Sequence, residues 1–351
     1  MKNKLSLNPF VYISPSMHTI SLFMFALLVP QIVMLFLTKS YGSIYIISAS
    51  VLASLAAEGF FSLVNKSFSF SYFLSLIQGI MIGFFLPSSY PPLAVFFITL
   101  VSMLVCKYAF GGFANSWINV IAVTVAACYF LSSAYFPENI VTLGDLQSKN
   151  ASLAMIQNGS VPLHAKDGAI TAFLNGTVFR SAGVRIPSGY VSLFLDTGSA
   201  IPAFRFNFLT LISSIILFSL EMVDMLVPVI FLFTYGVLIR CVPGFLFGTE
   251  VLYGDIFLAM LTSGILFAAL FVLQWYGTVP STICGKILYG IVAGITCYLI
   301  VGYGASSAGC IFMILVMNMF SLAIEVIEHH YIRNAVRKNL IPRVRFLREG
   351  E

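Results

Sequence analysis

The stretch HTISLFMFALLVPQIVMLFLT, residues 18–38, decides the fold class, because it contains no Asp, Glu, Lys or Arg. A helix that crosses a membrane needs about 20 consecutive, mostly apolar residues. Backbone groups in lipid must find their hydrogen bonds inside the segment, so such a run predicts a helix. Strands of a closed barrel alternate apolar and polar residues, and this stretch does not alternate. Residues 18–38 therefore predict a membrane-spanning helix.

Composition extends this prediction to the whole chain. Of 351 residues, 59% are hydrophobic and 9% are charged, whereas a soluble domain carries about 25% charged residues. The sequence predicts an all-α integral membrane protein with about ten transmembrane helices in two five-helix halves. The apolar runs lie near residues 18–38, 43–64, 68–86, 91–106, 117–135, 206–221, 223–240, 254–274, 283–303 and 307–328.

A polar segment separates the two sets of five runs. Residues 136–205 are rich in Ser, Asn, Gly and Thr but keep apolar residues, which indicates a structured loop. The predicted organisation is an N-terminal five-span half (1–135), the loop (136–205), a C-terminal five-span half (206–328) and a basic tail (329–351).

Positive charge indicates the orientation, because Lys and Arg concentrate on the cytoplasmic side of a membrane. The tail carries Arg333, Arg337, Lys338, Arg343, Arg345 and Arg348. With an even number of spans, both termini are predicted in the cytoplasm and the loop outside it, and Lys66 and Lys107 then fall in cytoplasmic turns. The basic tail indicates topology and contact with membrane lipid rather than binding of nucleic acid. The six cysteines form no C-x-x-C pair and none lies in the loop.

Few side chains within the runs carry chemistry. Glu58 is an acid inside the second run, and an ionisable residue within the bilayer is a functional candidate by default. Asn115 and Asn119 are four residues apart and share a helix face, where they either cap helix ends or line a cavity. Glu325, Glu328 and His329 have a helical spacing that a metal site could use, although they also suit a solvated span end.

Several motifs, taken in order along the chain, resemble one family. They are SPSMHT (14–19), AAEGFF (56–61), GIMIGFFLPSSYPP (79–92), KYAFGGFANSWINV (107–120), GDIFLAMLTSGILFAALFV (254–272) and VMNMFSLAIE (316–325). Together they resemble the D subunit of the Rnf ion-translocating electron-transport complex, which is similar to the B subunit of the sodium-pumping NADH:quinone reductase.

The resemblance implies a cofactor site in the loop. The family binds flavin mononucleotide (FMN) through its phosphate to a threonine in a pattern like Asp-x-x-Ser-Gly-Ala-Thr. The stretch DGAITAFLN (167–175) keeps Asp167 and Thr171 but lacks the Ser-Gly pair and is two residues shorter. Thr171 and Asp167 are thus the cofactor-binding candidates, with FMN attached through Thr171, and Thr177 is a poorer candidate for the attachment.

The function implied by the resemblance is that of a membrane subunit in an ion-translocating oxidoreductase complex of the bacterial inner membrane. Such a subunit would carry electrons through a flavin, couple them to Na⁺ or H⁺ transport, and work with sister membrane subunits in a ferredoxin- or flavodoxin-linked NAD reductase. Two alternatives stay open. One is a small-solute channel, because the family's fold is similar to that of urea channels. The other is a flavin-free scaffold subunit of the same complex.

Overall fold

The computed structural model describes residues 16–66, 71–112, 118–138, 144–145, 151–181, 183, 185–247, 254–275, 278–304 and 306–348. Within these ranges the chain is helical and contains no strand. The first half consists of α1 (Met17–Leu37), α2 (Tyr41–Asn65), α3 (Ser71–Phe85), α4 (Pro92–Met103) and α5 (Val120–Leu131). Helix α4 continues as a π-helical turn, Leu104–Tyr108.

The described part of the loop contains the short α-helices α6 (Ala151–Gln157), α7 (Asp167–Thr177) and α8 (Tyr190–Leu195) and a 3-10 turn, Pro202–Phe204. The second half consists of α9 (Asn207–Ser219), α10 (Leu226–Phe247), α11 (Ile256–Thr262), α12 (Ile265–Phe267), α13 (Ile283–Cys297) and α14 (Gly309–Arg348). Helices α12 and α13 continue as π-helical turns, Ala268–Val272 and Tyr298–Tyr303.

Helix lies in every one of the ten apolar runs, and the prediction of a multi-pass helical membrane protein is confirmed. Five helices are long and apolar enough to cross a membrane: Met17–Leu37, Tyr41–Asn65, Leu226–Gly244, Ile283–Tyr303 and Gly309–Asn334. Other helices are shorter; α5, for example, has 12 residues. A helix of that length rises about 18 Å, less than the roughly 30 Å of a hydrocarbon core. Ten crossings therefore stay a prediction.

The eighth run is not one helix, as the sequence suggested, but two short ones. The break falls at Gly264, whose φ of +68° lies in the left-handed region that favours glycine. A β-carbon at Gly264 would also overlap the Phe204 ring. Just before it, the Ser263 hydroxyl donates to the carbonyl of Ala259. The apolar composition of residues 254–274 concealed this break.

Close contacts at glycines occur in both halves. Helix α3 meets α2 at Gly83, where a β-carbon would lie 2.6 Å from the Ile47 Cα. Helix α13 meets α10 at Gly294, where a β-carbon would lie 2.6 Å from the Thr234 Cβ. Small residues let helix backbones approach closely in lipid, where apolar burial gives no driving force for association.

Contacts between turns divide the molecule into two ends. At the first end, the Arg205 guanidinium donates to the Ser40 hydroxyl, and the Ser88 amide donates to the Ala200 carbonyl at 2.9 Å. These contacts join the turn after α1 and the turn after α3 to the end of the loop. The loop and these two turns therefore lie on the same side.

The second end lies around Asp224, in the turn after α9, at the opposite end of α9 from the loop. The Lys286 ammonium pairs with Asp224, and the Gln274 amide donates to the Asp224 carbonyl at 2.7 Å. Although burial raises the pKa of the Asp224 carboxyl, hydrogen bonds from Lys286 and the Leu226 amide hold it below its usual value. The turns after α9 and α12 thus meet the start of α13.

Candidate functional site

Asp167 is the most densely bonded side chain of the described part of the loop. It begins α7, is fully buried, and accepts four hydrogen bonds. The donors are the Gly189 amide at 2.8 Å, the Ser192 amide and hydroxyl, both at 2.7 Å, and the Thr171 hydroxyl at 3.2 Å. The first amides of a helix have no partner within it, so a carboxylate is favoured at the start of α8. We call Asp167, Thr171, Gly189 and Ser192 the Asp167 latch.

Thr171 lies one helical turn after Asp167 and faces the same way. Its side chain is 6% exposed, and its hydroxyl is the donor of the bond to Asp167. A phosphate esterified here would stand beside a buried carboxylate. Two unit charges 4 Å apart repel by about 4 kcal/mol at an effective dielectric constant of 20. The residues around Thr171 therefore do not fit covalently attached FMN.

Thr177, the poorer candidate, lies at the other end of α7. Its side chain is exposed, and its hydroxyl donates to the Phe173 carbonyl at 2.7 Å. Thr177 is thus the more accessible of the two threonines, but it shares no contact with Asp167. The structure brings the two predicted site residues, Asp167 and Thr171, together and leaves Thr177 apart.

The family's pattern Ser-Gly-Ala-Thr can also be aligned with residues 167–170 of the loop. The loop contains one Gly-Ala pair, Gly168-Ala169. If this pair occupies the Gly-Ala positions of Ser-Gly-Ala-Thr, Asp167 replaces the serine and Ile170 replaces the threonine. Both Gly168 and Ala169 are exposed, whereas Ile170 is half-buried. In this register, the position of the attachment threonine holds a side chain without a hydroxyl.

The loop also covers the start of α11. The Asp255 carboxylate accepts from the Ser152 hydroxyl at 2.7 Å, the Tyr190 hydroxyl at 3.1 Å and the Leu258 amide at 3.1 Å. Burial raises the pKa of the Tyr190 hydroxyl, and the neighbouring Asp255 carboxylate also raises it. Helices α6 and α8 are therefore fastened to the broken eighth run through one acid.

A buried ion pair lies within the first half. The Lys107 ammonium lies 3.3 Å from a carboxylate oxygen of Glu58, and both side chains are almost fully buried. Sequence reasoning identified Glu58 but placed Lys107 in a cytoplasmic turn, and this placement was wrong. Lys107 lies in the π-helical turn that prolongs α4 beyond the predicted end of the fourth run. Nothing in the residues around Lys107 indicated that Glu58, 49 residues earlier, was its partner.

Three further side chains surround this pair. The Ser75 hydroxyl donates to Glu58 at 2.6 Å, and the Tyr108 hydroxyl also donates to Glu58. Lys107 donates to the Ser75 hydroxyl at 2.7 Å and to the side-chain oxygen Oε1 of Gln78 at 3.1 Å. We call these five residues the Glu58–Lys107 network. Because buried charges persist only when they are paired and hydrogen-bonded, this network satisfies both charges inside the helices.

Asn119 joins the two halves. Its side-chain oxygen accepts from the amides of Ile121 and Ala122 and so caps α5. Its amide group donates to the Val272 carbonyl at 2.9 Å, at the end of the π-helical turn after α12. The capping interpretation is correct for Asn119, whereas Asn115 lies outside the described residues.

Aromatic rings fill another contact between the halves. The Phe84 ring of α3 stacks on Phe267 of α12 with centroids 5.3 Å apart, and Phe267 contacts Phe271 at 4.8 Å. All three side chains are buried. The interior at this level is thus closed by apolar rings rather than lined by polar groups.

One of the two acids at the end of the tenth run, Glu328, makes a structural contact. Glu328 accepts from the amides and hydroxyls of Ser281 and Thr282, so it caps the start of α13. Among the described residues, no group of three His, Cys, Asp or Glu side chains is arranged to hold a metal ion. Of the three residues with metal-like spacing, Glu325, Glu328 and His329, only Glu328 takes part in this cap.

Comparison with known proteins agrees with the motif order. The model of the NQR2, RnfD, RnfE family matches residues 4–333. The D subunit of a proton-translocating ferredoxin:NAD(+) oxidoreductase complex from Clostridium ljungdahlii is 22% identical over 283 residues, 80% of each chain. The D subunit of the Na(+)-translocating complex from Acetobacterium woodii is 23% identical over 290 residues, covering 80% of this chain and 79% of that protein. The chain therefore belongs to the NQR2, RnfD, RnfE family.

Proposed function

We propose that the chain is the D-type membrane subunit of an ion-translocating ferredoxin:NAD⁺ oxidoreductase complex and forms part of its ion path. The observation that carries this proposal is the Glu58–Lys107 network, which holds a carboxylate and an ammonium among membrane helices. Ionisable side chains inside the bilayer are costly and mark ion paths and proton relays. The similarity to the D subunits of two such complexes supports the choice of complex, and the network supports a place where an ion would act.

The network responds to cations because its two formal charges cancel. Protonation of Glu58, or a Na⁺ bound to its carboxylate, would leave the Lys107 charge uncompensated in a region of low dielectric. Lys107 would keep its bonds to the Ser75 hydroxyl and the Gln78 side-chain oxygen, but both groups are neutral and would not balance its charge. Binding of a cation at Glu58 is therefore coupled to the charge or the position of Lys107.

The two-ended distribution of turns supports the predicted topology. The turns after α1 and α3 contact the loop at the first end, and the turns after α9 and α12 meet the start of α13 at the second end. Ten crossings would place these two pairs of turns on opposite sides. With the basic tail in the cytoplasm, the loop lies outside it, and the setting is the inner membrane of a bacterium.

Sister membrane subunits are the proposed partners, since the relatives' names describe subunits of complexes. A resident flavin would supply transfer of electrons singly or in pairs. The residues around Thr171 do not fit its covalent form, so the role proposed for this chain rests on the ion path. The small-solute channel is the less favoured alternative, because Phe84, Phe267 and Phe271 close the contact between the halves with apolar rings.

The test is ion transport by the assembled complex in inverted membrane vesicles. We expect Glu58→Gln to permit assembly but to lower the number of ions moved per electron pair, because the neutral amide cannot exchange a cation. Glu221→Gln is the matched control, since Glu221 is exposed at the second end. A Glu58→Gln complex with unchanged transport per electron pair would remove the network from the ion path.

A further inference from the structure

We infer that the loop of this chain carries no covalently bound flavin, and that Asp167 and Thr171 instead fasten α7 to α8. The inference goes beyond the proposed function, because it concerns the chemistry of one loop in whatever complex the chain joins. It stands on the bonding of the Asp167 latch and on the side chain at residue 170. In this view, the Asp167 carboxylate holds the loop together, and no cofactor is attached to it.

Attachment makes a specific demand on the acceptor threonine. Its Oγ1 atom must attack phosphorus in the flavin adenine dinucleotide that a flavin transferase uses, lose its proton, and release AMP. The hydroxyl must therefore be exposed and have room for a phosphate. The Thr171 side chain is 6% exposed, and its hydroxyl donates to an oxygen of Asp167 at 3.2 Å. Neither requirement is met.

Rotation of Thr171 away from Asp167 would not create an acceptor. The carboxylate keeps its bonds from the Gly189 amide and from the Ser192 amide and hydroxyl, all between 2.7 and 2.8 Å. Those three donors hold Asp167 in place without help from Thr171. The incoming phosphate would still meet a fixed, buried negative charge, which opposes the ester on electrostatic grounds.

The side chain at residue 170 points to the same conclusion independently. When Gly168-Ala169 takes the Gly-Ala positions of Ser-Gly-Ala-Thr, Ile170 takes the place of the acceptor and has no hydroxyl. Two further differences are His164 at the Asp position and Asp167 at the Ser position, and Asp167 supplies the latch. The change at residue 170 thus removes the nucleophile, and the change at residue 167 places a structural carboxylate three residues before it.

The experiment adds the missing hydroxyl. The full chain is expressed with its sister subunits, a flavin transferase and flavin adenine dinucleotide, and is then denatured for in-gel fluorescence and for mass spectrometry of peptides across 167–185. We expect wild-type protein to show neither fluorescence nor an added flavin mass. We expect His164→Asp/Asp167→Ser/Ile170→Thr, which restores the whole Asp-x-x-Ser-Gly-Ala-Thr pattern over residues 164–170, to gain both, with the mass on the peptide that contains residue 170. His164→Asp/Asp167→Ser/Ile170→Val is the matched control and should gain neither.

Fluorescence of the wild-type chain that disappears in Thr171→Ala or in Thr177→Ala would overturn the inference. A triple variant that accumulates but stays unmodified, while the transferase labels a known acceptor protein, would overturn the role given to residues 167 and 170. If the triple variant does not accumulate, the mass of the wild-type loop peptide decides alone. Failure of the proposed function would appear as lost assembly or ion transport and would leave that mass unchanged.

Discussion

The Nζ atom of Lys107 lies 3.3 Å from Oε2 of Glu58, and the two side chains are only 0% and 3% exposed. The pair joins the later part of α2 to the π-helical turn after α4. The Asp224–Lys286 pair at the second end is much more accessible, with side chains 34% and 24% exposed. The chain therefore offers a buried and an accessible ion pair for comparison.

Removing the buried cation should be far more damaging than removing the accessible one. We expect Lys107→Met to lower the free energy of unfolding by about 3–5 kcal/mol, because it leaves the Glu58 charge unpaired. Lys286→Met should cost about 1 kcal/mol or less, because solvent screens that pair. Thermal unfolding in detergent measures both, and Glu58→Gln/Lys107→Met should recover much of the loss. Equal losses in the two single variants would refute this ranking.

The predicted topology can be read from cysteine accessibility. In a Cys284→Ser background, we expect Ser160→Cys in the loop to react with an impermeant maleimide in cells with a permeable outer layer. His330→Cys, in α14 at the second end, should react only after the inner membrane is opened. Both positions are exposed, so access differs only by side. Labelling of both before permeabilisation would contradict the orientation.

The Asp167 latch should control the stability of the loop. We expect Asp167→Asn to weaken the contact between α7 and α8 by about 1–3 kcal/mol, because an amide is a poorer acceptor for the Gly189 and Ser192 amides than a carboxylate. Limited proteolysis of the purified protein should then cut faster between residues 177 and 190. Thr177→Val is the control, since its hydroxyl bonds only within α7. Cutting rates that match the wild type would show that the latch is dispensable.

The close contact between α2 and α3 should not tolerate a methyl group. We expect Gly83→Ala to destabilise by about 1–3 kcal/mol, because the β-carbon overlaps the backbone at Ile47 and the helices must separate. Gly59→Ala is matched to it, since nothing lies within 4 Å of its β-carbon. That change should be neutral or stabilise α2 by up to about 1 kcal/mol. Detergent unfolding of the two variants tests the contrast, which a stable Gly83→Ala protein would disprove.

The two bonds of Asn119 can be separated by two substitutions. Asn119→Leu removes both the cap of α5, worth about 1 kcal/mol, and the donor to the Val272 carbonyl, worth a further ~1–3 kcal/mol if that carbonyl stays unpaired. Asn119→Asp keeps an acceptor for the cap but loses the donor. We therefore expect the leucine variant to unfold at the lower temperature. The reverse order would mean that a carboxylate facing the Val272 carbonyl costs more than the lost cap.

Sequence patterns predicted the positions of the helices, because these depend on residues that are close together in the chain. Apolar runs long enough for helices are local features, and helix lies in each of them. The break at Gly264 was not predicted, because the composition of the run shows neither the positive φ of this glycine nor the Phe204 ring of a distant segment that packs against it. Composition alone showed an apolar run at that position.

The candidate sites depended on contacts that no local pattern contains. Asp167 could be identified by resemblance, but its partners Gly189 and Ser192 follow 22 and 25 residues later. Lys107 was assigned to a turn because the fourth run ends just before it. Only the packing of α2, α3 and α4 shows that the lysine turns inward toward Glu58.

The length of α14 has a mechanical consequence. Forty residues of continuous helix rise about 60 Å, twice the thickness of a hydrocarbon core. The helix therefore continues for about 20 Å beyond Asn334. Two contacts hold α14 within the bundle. Phe312 packs against Tyr129 near the N-terminal end of α14, and Glu328 binds the start of α13 further along the helix. A movement of α14 along its axis would therefore be passed to the start of α13 through Glu328.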